Sequence, residues 1–536
     1  AKEAAEWKKA TESEWNSWKK KEVFEWVDAP QGAQIIESKL VYKLKLDAFN
    51  IPLRYKARLV ARGFQQTGVE MIDAFAPMAH PTTIRLLVSI AAANGWDIKQ
   101  ADVSTAYLSA ELPETIYLSP PRGMERADGK VMALRRAVYG LATSGALWHA
   151  CFVDKMRKFG MEPITDDDTI FRVKKLDKEG KERELIVAIV VDDCMMTGDS
   201  EELRLEWVAF MREFFELTYD GDLQHYLGVR YERTSKGIKA SQTAYLERCL
   251  LRFGMEKCNS SPTPMDARFA VTPDDIDEHP DPALLKLYQS MIGCLIYLSV
   301  WTRPDIAYAV NVLARFMSKP TPALITAAKR VFRYLRGTPS RGIHFPVNYT
   351  GPFGKHVLYA YADASDSDCK ITARLTGGHI LFVNGAPVAW KSGRQPLVTL
   401  SSAESEYVQA TAACTEIIYV RSLLERAGIP QAPTILYDDN QAAIEMSKKP
   451  CHRQRSKHIR RRFHFVRDCC LDGTVKLIHV RSEWNAADAF TKPLPEHSFV
   501  RLTQVLHNET ETTTTETTTT GTTTTGTTTT INAPRI

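Results

Sequence analysis

The sequence predicts an α/β (α+β) fold of about three domains. With 536 residues the chain is too long for one hydrophobic core, since domains usually hold about 100–200 residues. Blocks with the alternation of β-strands follow blocks with helical periodicity. Two apolar runs, at 185–198 and 357–365, carry aspartates where a strand should end. Such carboxylates lie at the edge of a sheet, where sites in α/β folds tend to form.

Composition excludes several classes of protein. The hydrophobic share of 44% and the charged share of 25% are those of an ordinary soluble protein. A net charge of +5 is small, so binding of an acidic partner would depend on local basic patches. The ten cysteines form no C-x-x-C pair and no apolar leader follows a basic start, which predicts a reduced intracellular protein. No run approaches the roughly 18 apolar residues of a membrane span, so we expect no membrane partner.

The first elements are a helix and a basic hairpin. Residues 1–28 alternate Lys, Glu and Trp with helical spacing and predict an amphipathic helix. In "LVYKLKL" and "YKARLVAR" apolar residues alternate with basic ones, among them Lys43, Lys56 and Arg58. This pattern predicts a hairpin with one basic face. The face is either an edge kept soluble by its charges or a surface that binds phosphates.

Three aspartates then point to metal chemistry. Asp102 ends a short strand in "WDIKQADVSTAYL" before a predicted helix start, and alone it would be a cap or turn residue. "LIVAIVVDDCMMTGD" predicts two strands with Asp192 and Asp193 at the hairpin tip. Brought together, these carboxylates would repel one another unless divalent cations neutralised them, and oxygen ligands beside phosphates suit Mg²⁺. Two such ions about 4 Å apart can activate a 3′-hydroxyl and stabilise the leaving pyrophosphate.

The last third carries a second group of acids. "VLYAYADAS", "ITARLTGGHILFV" and "APVAWKS" read as strands, a helix opens at "SSAESEYVQA", and "TILYDDNQAAI" is a further strand. This order, with acids at strand ends, is the layout of a ribonuclease H domain. Ser401 and Glu404 form a capping box, which explains Glu404. Glu406 lacks that explanation and flanks the predicted buried face of the helix.

Several motifs together resemble the reverse transcriptase and ribonuclease H part of copia-type LTR retrotransposon Pol polyproteins. They are "RYKARLVARGF", "DAFAPMAHPTTIRLLVSIAAANGWDIKQADVSTAYL", "VYGL", "VVDD", "HYLGV", "GCLIYLSVWTRPDIAYAVNVLARFMSKPT" and "AAKRVFRYLRGT". Their order and spacing match the family from about Trp7 to Leu494. Each motif alone is weak, and the set is specific.

The resemblance implies a right-hand polymerase in which Asp102 and Asp192 hold two Mg²⁺ ions and Asp193 supports them. Lys56 and Arg58 resemble the residues that bind the incoming triphosphate. Tyr107 matches the aromatic residue that lies under the sugar and excludes a 2′-hydroxyl, and its alternative role is that of a core aromatic.

For the ribonuclease H domain the resemblance implies four metal ligands. They are Asp363, Glu406, Asp439 and Asp488. They would hold two Mg²⁺ ions, for which Mn²⁺ can substitute, and direct water against the RNA strand of a hybrid. His479 matches a mobile histidine of this fold, or it is a partly buried structural residue. Asp438 is predicted to be a solvated neighbour of Asp439.

Basic residues predict where nucleic acid binds, although a charged helix face is often merely solvated. The set comprises Lys329, Arg333, Arg336, Arg455, Lys457, His458 and Arg461. The chain also departs from the family pattern: Val190 replaces Tyr in "YVDD", and Ala142–Gly145 replace "KQAP". These changes put fidelity and specific activity in question, while the acids are intact.

The predicted domains are fingers and palm with the lead-in helix (1–265), a linker and thumb- or connection-like helices (266–350), ribonuclease H (355–495) and a disordered Thr-rich tail (508–536). The predicted function is DNA synthesis on RNA and DNA templates with hydrolysis of the hybrid's RNA. The alternative is a decayed or domesticated nucleic-acid-binding scaffold. Expected partners are template RNA, a primer, RNA/DNA hybrid, DNA and dNTPs, besides further copies of the chain or a particle coat protein. The expected location is the cytoplasm, within virus-like particles.

Overall fold

The computed structural model describes residues 2–46, 52–70, 74–365, 371–448 and 464–509. The Thr-rich segment from residue 510 onward lies outside the described residues. The helices are α1 (Lys2–Lys20), α2 (Pro81–Asn94), α3 (Ser144–Phe159), α4 (Glu201–Arg212), α5 (Thr243–Arg252), α6 (Pro282–Trp301), α7 (Ala307–Ala314), α8 (Pro322–Gly337), α9 (Ser402–Arg426), α10 (Gln441–Lys448), α11 (Phe465–Leu471) and α12 (Glu496–His507). The strands are β1 (Phe24–Val27), β2 (Ile35–Ile36), β3 (Ser38–Leu46), β4 (Pro52–Ala61), β5 (Asp97–Val103), β6 (Glu111–Leu118), β7 (Val131–Arg136), β8 (Glu162–Pro163), β9 (Ile170–Leu176), β10 (Glu182–Val190), β11 (Asp193–Gly198), β12 (Leu217–Asp222), β13 (His225–Tyr226), β14 (Val229–Thr234), β15 (Gly237–Ser241), β16 (Ile343–Pro346), β17 (Leu358–Ala364), β18 (Thr376–Val383), β19 (Ala386–Arg394), β20 (Thr434–Asp438) and β21 (Val475–His479).

The chain divides into two compact units. One consists of Ala1–Ala79 with Asp97–Leu223, and the other of His80–Trp96 with Gln224–Ile536. The second unit therefore takes α2, and also residues 224–265, from the range 1–265 that we assigned to the polymerase fingers and palm. The finer domain boundaries stay predictions.

The first unit is built on a six-stranded sheet in the order β12-β5-β11-β10-β9-β8. Its central strand β10 is buried from Leu185 to Val190, as the continuous apolar run predicts. Helices α3 and α4 bury Trp148, Phe152 and Trp207 in the core of this sheet. A smaller sheet, β1-β7-β6-β2, and the hairpin β3-β4 complete the unit.

The predicted N-terminal helix and basic hairpin are both present. Trp18 of α1 is buried in one core with Leu59 of β4. Near the other end of α1, the ring of Trp7 packs edge-on against Tyr42 and Tyr55 of the two hairpin strands, with centroids 5.2 and 4.6 Å away. The aromatic residues of the lead-in helix thus attach it to the hairpin.

The second unit contains a mixed five-stranded sheet in the order β19-β18-β17-β20-β21. β17 and β18 are antiparallel, while β17, β20 and β21 run parallel. Helix α9 packs on this sheet and buries Tyr407, Ala410 and Cys414, the face expected from their spacing. The ribonuclease H-like layout and the α/β fold class predicted from sequence are confirmed.

The expectation that no run of residues is long and apolar enough to span a bilayer was wrong. Helix α6 meets that requirement by length and composition. However, Tyr288, Ile292 and Leu295 of this helix are buried in the core of the second unit. A core helix passes the same test of composition, so α6 is weak support for a membrane span.

Two candidate active sites

The first site lies at the tip of the β10–β11 hairpin. The loop consists of Val191 and Asp192, and Asp193 is already the first residue of β11, paired with Val190. The tip therefore holds one of the two acids rather than both, which corrects the sequence prediction. Val191 has a φ of 58°, an unfavourable conformation for a β-branched residue, and the indole of Trp148 donates to its carbonyl at 2.6 Å. Such backbone strain is common at functional sites.

The register of β5 and β11 brings Asp102 to this tip. Asp193 is the direct cross-strand partner of Asp102. The backbone N–H of Val103 donates to the carbonyl of Asp192 at 2.9 Å, which holds the tip against β5. Burial, followed by the negative charges of Asp193, Asp102 and Asp192, raises the pKa of the neighbouring Cys194 thiol. The three predicted acids thus share one location.

Asp102 does not lead into a regular helix as predicted. Val103 ends the strand, Thr105 has a φ of 52°, and a short 3-10 helix covers Ala106–Ser109. Tyr107 lies on this turn and is half-buried. Its ring meets that of Tyr139 edge-on at 4.9 Å, and burial followed by the charge of Asp192 raises the pKa of Tyr107. The predicted nucleotide-selecting residue therefore lies beside the acids.

Arg58 of the basic hairpin approaches the same group. Its guanidinium lies over the ring of Tyr139 at 4.7 Å from the centroid. Burial raises the pKa of Tyr139 to about 12, against the opposing charge of Arg58. Lys56 lies two residues before Arg58, on the same face of β4, and is half-buried. Both predicted triphosphate-binding residues belong to the unit that holds the acids, and their role stays a prediction.

The residues that depart from the family pattern, Val190 and Ala142–Gly145, fit closely among their neighbours in the structure. Val190 is buried. Ser144, the first residue of α3, donates its hydroxyl to the carbonyl of Val138 at 2.6 Å. At Gly145 an added Cβ would lie 2.8 Å from the Cβ of Ala76, so a larger residue would require a shift here. The "ATSG" segment is thus accommodated by its neighbours.

The second site collects acids from four elements of the mixed sheet and its helix. Asp363 lies on β17, Glu406 on the first turns of α9, Asp439 directly after β20, and Asp488 on a 3-10 turn at Ala486–Phe490. One carboxylate oxygen each of Asp363, Asp439 and Asp488 lies within 4.8 Å of the others, and the same holds for Glu406, Asp438 and Asp439. Asp439 belongs to both groups. The four predicted ligands therefore converge.

Burial makes these carboxyl groups hard to ionise on their own. Burial, with the charges of Asp363 and Asp438 next in order, raises the pKa of Glu406 to about 11. The pKa of Asp363 is raised well above its usual value by burial and by the charge of Asp488. A bound divalent cation reverses such shifts, since it favours the ionised form.

The start of α9 explains why Glu406, and not Glu404, faces this site. The hydroxyl of Ser401 accepts the N–H of Glu404 at 3.3 Å, as the capping pattern predicts. The carboxylate of Glu404 accepts the N–H of Leu400 at 2.9 Å instead of that of Ser401. Glu404 thus serves the helix start, while Glu406 is buried toward the sheet.

Asp438 was predicted to be solvated, and this was wrong. As the last residue of β20 it is fully buried, and burial raises its pKa to about 7. Its Oδ1 accepts the N–H of Asn440 at 2.8 Å. The alternation of the strand points Asp438 into the protein, a signal that was available in the sequence. Sequence reasoning therefore missed one acid of the site.

His479 lies at the end of β21, beside Asp438 in the parallel register. Its side chain is exposed, which rules out the partly buried structural residue that was the alternative. Its catalytic role stays a prediction.

The residues of the second site fit Mg²⁺, while those of the first site would need ligands from the substrate as well. In the second site Glu406 Oε2 and Asp438 Oδ2 are buried without a hydrogen-bond partner among the described residues. Buried carboxylate oxygens of this kind call for a cation, and oxygen ligands suit Mg²⁺ or Mn²⁺. The acids of the first site are half-buried and do not form a three-carboxylate group within 4.8 Å in the described ranges. Substrate phosphates would supply further ligands there.

The basic residues have a partly structural role. Lys329, Arg333 and Arg336 are exposed on α8, opposite the buried Phe332 and Leu335. Arg333 Nε donates to the carbonyl of Asn259 at 2.9 Å, and Arg336 Nε to that of Glu256 at 2.8 Å. These two residues thus hold the loop that follows α5. Nucleic-acid binding by this face of α8 stays a prediction. The other basic residues, Arg455, Lys457, His458 and Arg461, lie outside the described residues.

The chain is similar in sequence to several known proteins. The family described as "Reverse transcriptase (RNA-dependent DNA polymerase)" matches residues 21–267. The retrovirus-related Pol polyprotein from transposon TNT 1-94 of Nicotiana tabacum is 32% identical over 92% of this chain and 37% of its own length. That from transposon RE2 of Arabidopsis thaliana is 32% identical over 88% of this chain and 32% of its own length. A foamy viral protease–reverse transcriptase structure with double-stranded DNA aligns with 87% of this chain and 68% of that chain, at 12% identity and a TM-score of 0.48.

Residues 21–267 match the reverse transcriptase family, and the mixed five-stranded sheet that follows has the ribonuclease H-like layout predicted from sequence. About nine-tenths of the chain is similar to the Pol polyproteins of two plant transposons. The chain spans about a third of the length of the curated relatives named above. The resemblance and the fold class predicted from sequence are therefore confirmed.

Proposed function

We propose that the chain copies RNA, and then DNA, into DNA from a primer, and hydrolyses the RNA strand of the resulting hybrid. The observation that supports polymerisation most directly is the pairing of Asp102 with Asp193 beside the Asp192 turn. The carboxylates lie at the same end of two neighbouring strands, with Arg58 and Tyr107 nearby. This arrangement suits a nucleotide, because Arg58 could contact its triphosphate and Tyr107 its sugar. The match of residues 21–267 to the reverse transcriptase family supports the same reaction.

Two Mg²⁺ ions at each site, when bound, would favour attack on phosphorus and stabilise the leaving oxygen. In the polymerase site Asp102 and Asp192 would hold them, with Asp193 in support. Arg58 and Lys56 would bind the triphosphate, and the ring of Tyr107 would exclude a 2′-hydroxyl. In the ribonuclease H site Asp363, Glu406, Asp439 and Asp488 would hold them, with His479 at the rim for proton transfer.

The substrates follow from coupling the two activities. The polymerase would produce an RNA/DNA hybrid, and the ribonuclease H site would act on that product. The basic residues named above would bind phosphates of template, primer and hybrid. Retrotransposon replication in cytoplasmic virus-like particles, with coat protein and further copies of the chain as partners, is the matching biological setting.

The test is a pair of assays on the full chain with Mg²⁺: primer extension on RNA and DNA templates, and cleavage of a labelled RNA/DNA hybrid. Asp192→Asn should abolish extension and spare cleavage, while Asp439→Asn should do the reverse. Asp128→Asn, at an exposed acid outside both sites, serves as the matched control. Loss of both activities in either single variant would contradict two separate sites.

The altered Val190 and Ala142–Gly145 segments favour a second candidate, a decayed copy that acts as a nucleic-acid-binding scaffold. Such a protein would bind a labelled hybrid in a gel-shift assay without extending or cleaving it. Intact acids at both sites favour the enzyme.

A further inference from the structure

The ribonuclease H site contains a basic side chain of its own. The Nζ of Lys492 lies 2.9 Å from Asp488 Oδ1 and 3.9 Å from Asp363 Oδ2. The backbone N–H of Lys492 points to the carbonyl of Asp488 at 3.4 Å, so both residues lie on the same turn. Between them in sequence, Thr491 donates its hydroxyl to Asp363 Oδ2. This short segment therefore brings one cation and one hydroxyl donor to the acids.

The other half of the site has no such compensation. In the part of the chain that the structure describes, no salt bridge joins Glu406, Asp438 or Asp439 to a basic residue. Glu406 and Asp438 are both more than nine-tenths buried, and each has one carboxylate oxygen with neither a hydrogen bond nor a salt bridge among the described residues. Asp488 Oδ1 also lacks an aligned hydrogen bond, but the positive charge of Lys492 lies 2.9 Å from it. The acid site is thus divided into a half neutralised by Lys492 and a half that is not, and Asp439 joins the two.

We propose that Lys492 is a built-in counter-ion that makes the two halves of the ribonuclease H site bind divalent cations unequally. A divalent cation that enters between Asp363 and Asp488 meets the positive charge already held there. Repulsion between the two weakens its binding, because like charges a few ångströms apart oppose each other even in a solvated site. The half formed by Glu406, Asp438 and Asp439 attracts a cation without this opposition and binds first.

Lys492 also has a role before any cation arrives. Buried carboxylates that repel each other cost stability unless a positive charge lies among them. Lys492 supplies that charge, and Thr491 fixes the orientation of Asp363. Replacing Lys492 by a neutral residue should therefore lower the stability of the metal-free protein while it tightens the binding of divalent cations. A merely structural lysine would not couple these two effects with opposite signs.

The inference rests on the proposed function, and its test measures binding rather than activity. Mn²⁺ is titrated into the full chain carrying Asp102→Asn, Asp192→Asn and Asp193→Asn, so that the ribonuclease H acids alone bind. Free Mn²⁺ is measured by electron paramagnetic resonance. Lys492→Gln removes the charge, Lys492→Arg retains it, and Lys476→Gln, at an exposed lysine of β21, is the matched control.

We expect two unequal binding steps, of which Lys492→Gln tightens the weaker by about tenfold or more. Lys492→Arg and Lys476→Gln should bind as the parent does. Thermal unfolding without metal checks folding and should show a lower midpoint for Lys492→Gln that Mn²⁺ restores. Unchanged or weaker binding by Lys492→Gln overturns the counter-ion role alone. So does a Lys492→Arg variant that tightens Mn²⁺ binding as much as Lys492→Gln does. A parent that binds no Mn²⁺, and is indistinguishable from its Asp439→Asn derivative, overturns the metal site of the proposed function as well.

Discussion

Asp193 lies directly opposite Asp102 across an antiparallel pair of strands. Residues in this relationship have Cβ atoms about 4.5–5.5 Å apart, so like charges there destabilise a sheet. The protein retains this unfavourable pair at the centre of its first unit. A function in which both carboxylates hold cations beside a nucleotide would explain why the protein keeps this destabilising pair.

Asp193→Asn should therefore separate stability from activity. Removing one of two opposed charges should raise the free energy of unfolding by about 0.5–1 kcal/mol, measured by chemical denaturation. Primer extension should fall by roughly 100-fold or more, because support for the cations is worth several kcal/mol. Asp222→Asn, which breaks an exposed ion pair with Lys99 in the same sheet, is the control and should not stabilise. A variant that is more stable and fully active would contradict the assignment.

Tyr107→Val should allow ribonucleotides into the polymerase site. The ring packs edge-on against Tyr139 near Asp192, so a smaller side chain should leave room for a 2′-hydroxyl. We expect the preference for dNTP over rNTP, measured as a ratio of kcat/KM values, to fall by roughly 100-fold, equivalent to about 3 kcal/mol. Tyr139→Phe keeps both rings and should retain the preference. Unchanged discrimination in Tyr107→Val would remove the gate role.

His379 should make the second unit sensitive to acid. Burial, with the nearby charge of Lys391, lowers its pKa to about 3, and its Nδ1 accepts a hydrogen bond from Gln409 at 2.9 Å. Its ordinary pKa in an unfolded chain is about 6.5, so the unfolded state binds the additional proton between these values. The stability that this neutral side chain contributes is complete above pH 6.5 and is lost as pH falls toward 3.

The measurement is the free energy of unfolding from pH 7 to pH 5. His379→Gln should reduce the loss of stability over this range, by at most about 1.4 kcal/mol for each pH unit below 6.5. His497→Gln, at an exposed histidine, should follow the parent. Equal pH dependence in the parent and in His379→Gln would show that this histidine does not contribute.

Arg85→Met should destabilise the second unit. Arg85 lies on α2, fully buried, where it donates to the carbonyls of Val388 at 2.7 Å and Val300 at 2.6 Å and lies over the ring of Trp390. Removing it leaves buried carbonyls unsatisfied, for a loss of about 2–4 kcal/mol in chemical denaturation. Arg481→Met, at an exposed residue, should change stability little. A neutral effect of Arg85→Met would mean that α2 is not required by this unit.

The sequence predicted the sheets and the acids well because strand alternation and strand ends are local properties. Asp102, Glu406 and Asp488 could be selected from motifs alone. The prediction for Asp438 failed although the alternation of β20 places it on the buried side of the strand. Contacts between segments distant in sequence could not be predicted, such as the hydrogen bonds from Arg333 and Arg336 to the carbonyls of Asn259 and Glu256.

The sequence by itself predicted the fold class, the resemblance to transposon Pol polyproteins and the candidate acids, because periodicity and motifs record which residues must be buried or paired. Tertiary structure alone decided which strands are neighbours. It placed Asp193 opposite Asp102 and brought Lys492 close to both Asp363 and Asp488. It also placed helix α2 in the second unit. The physical reason is that distances between charges arise only when separate segments pack, and no segment contains that information alone.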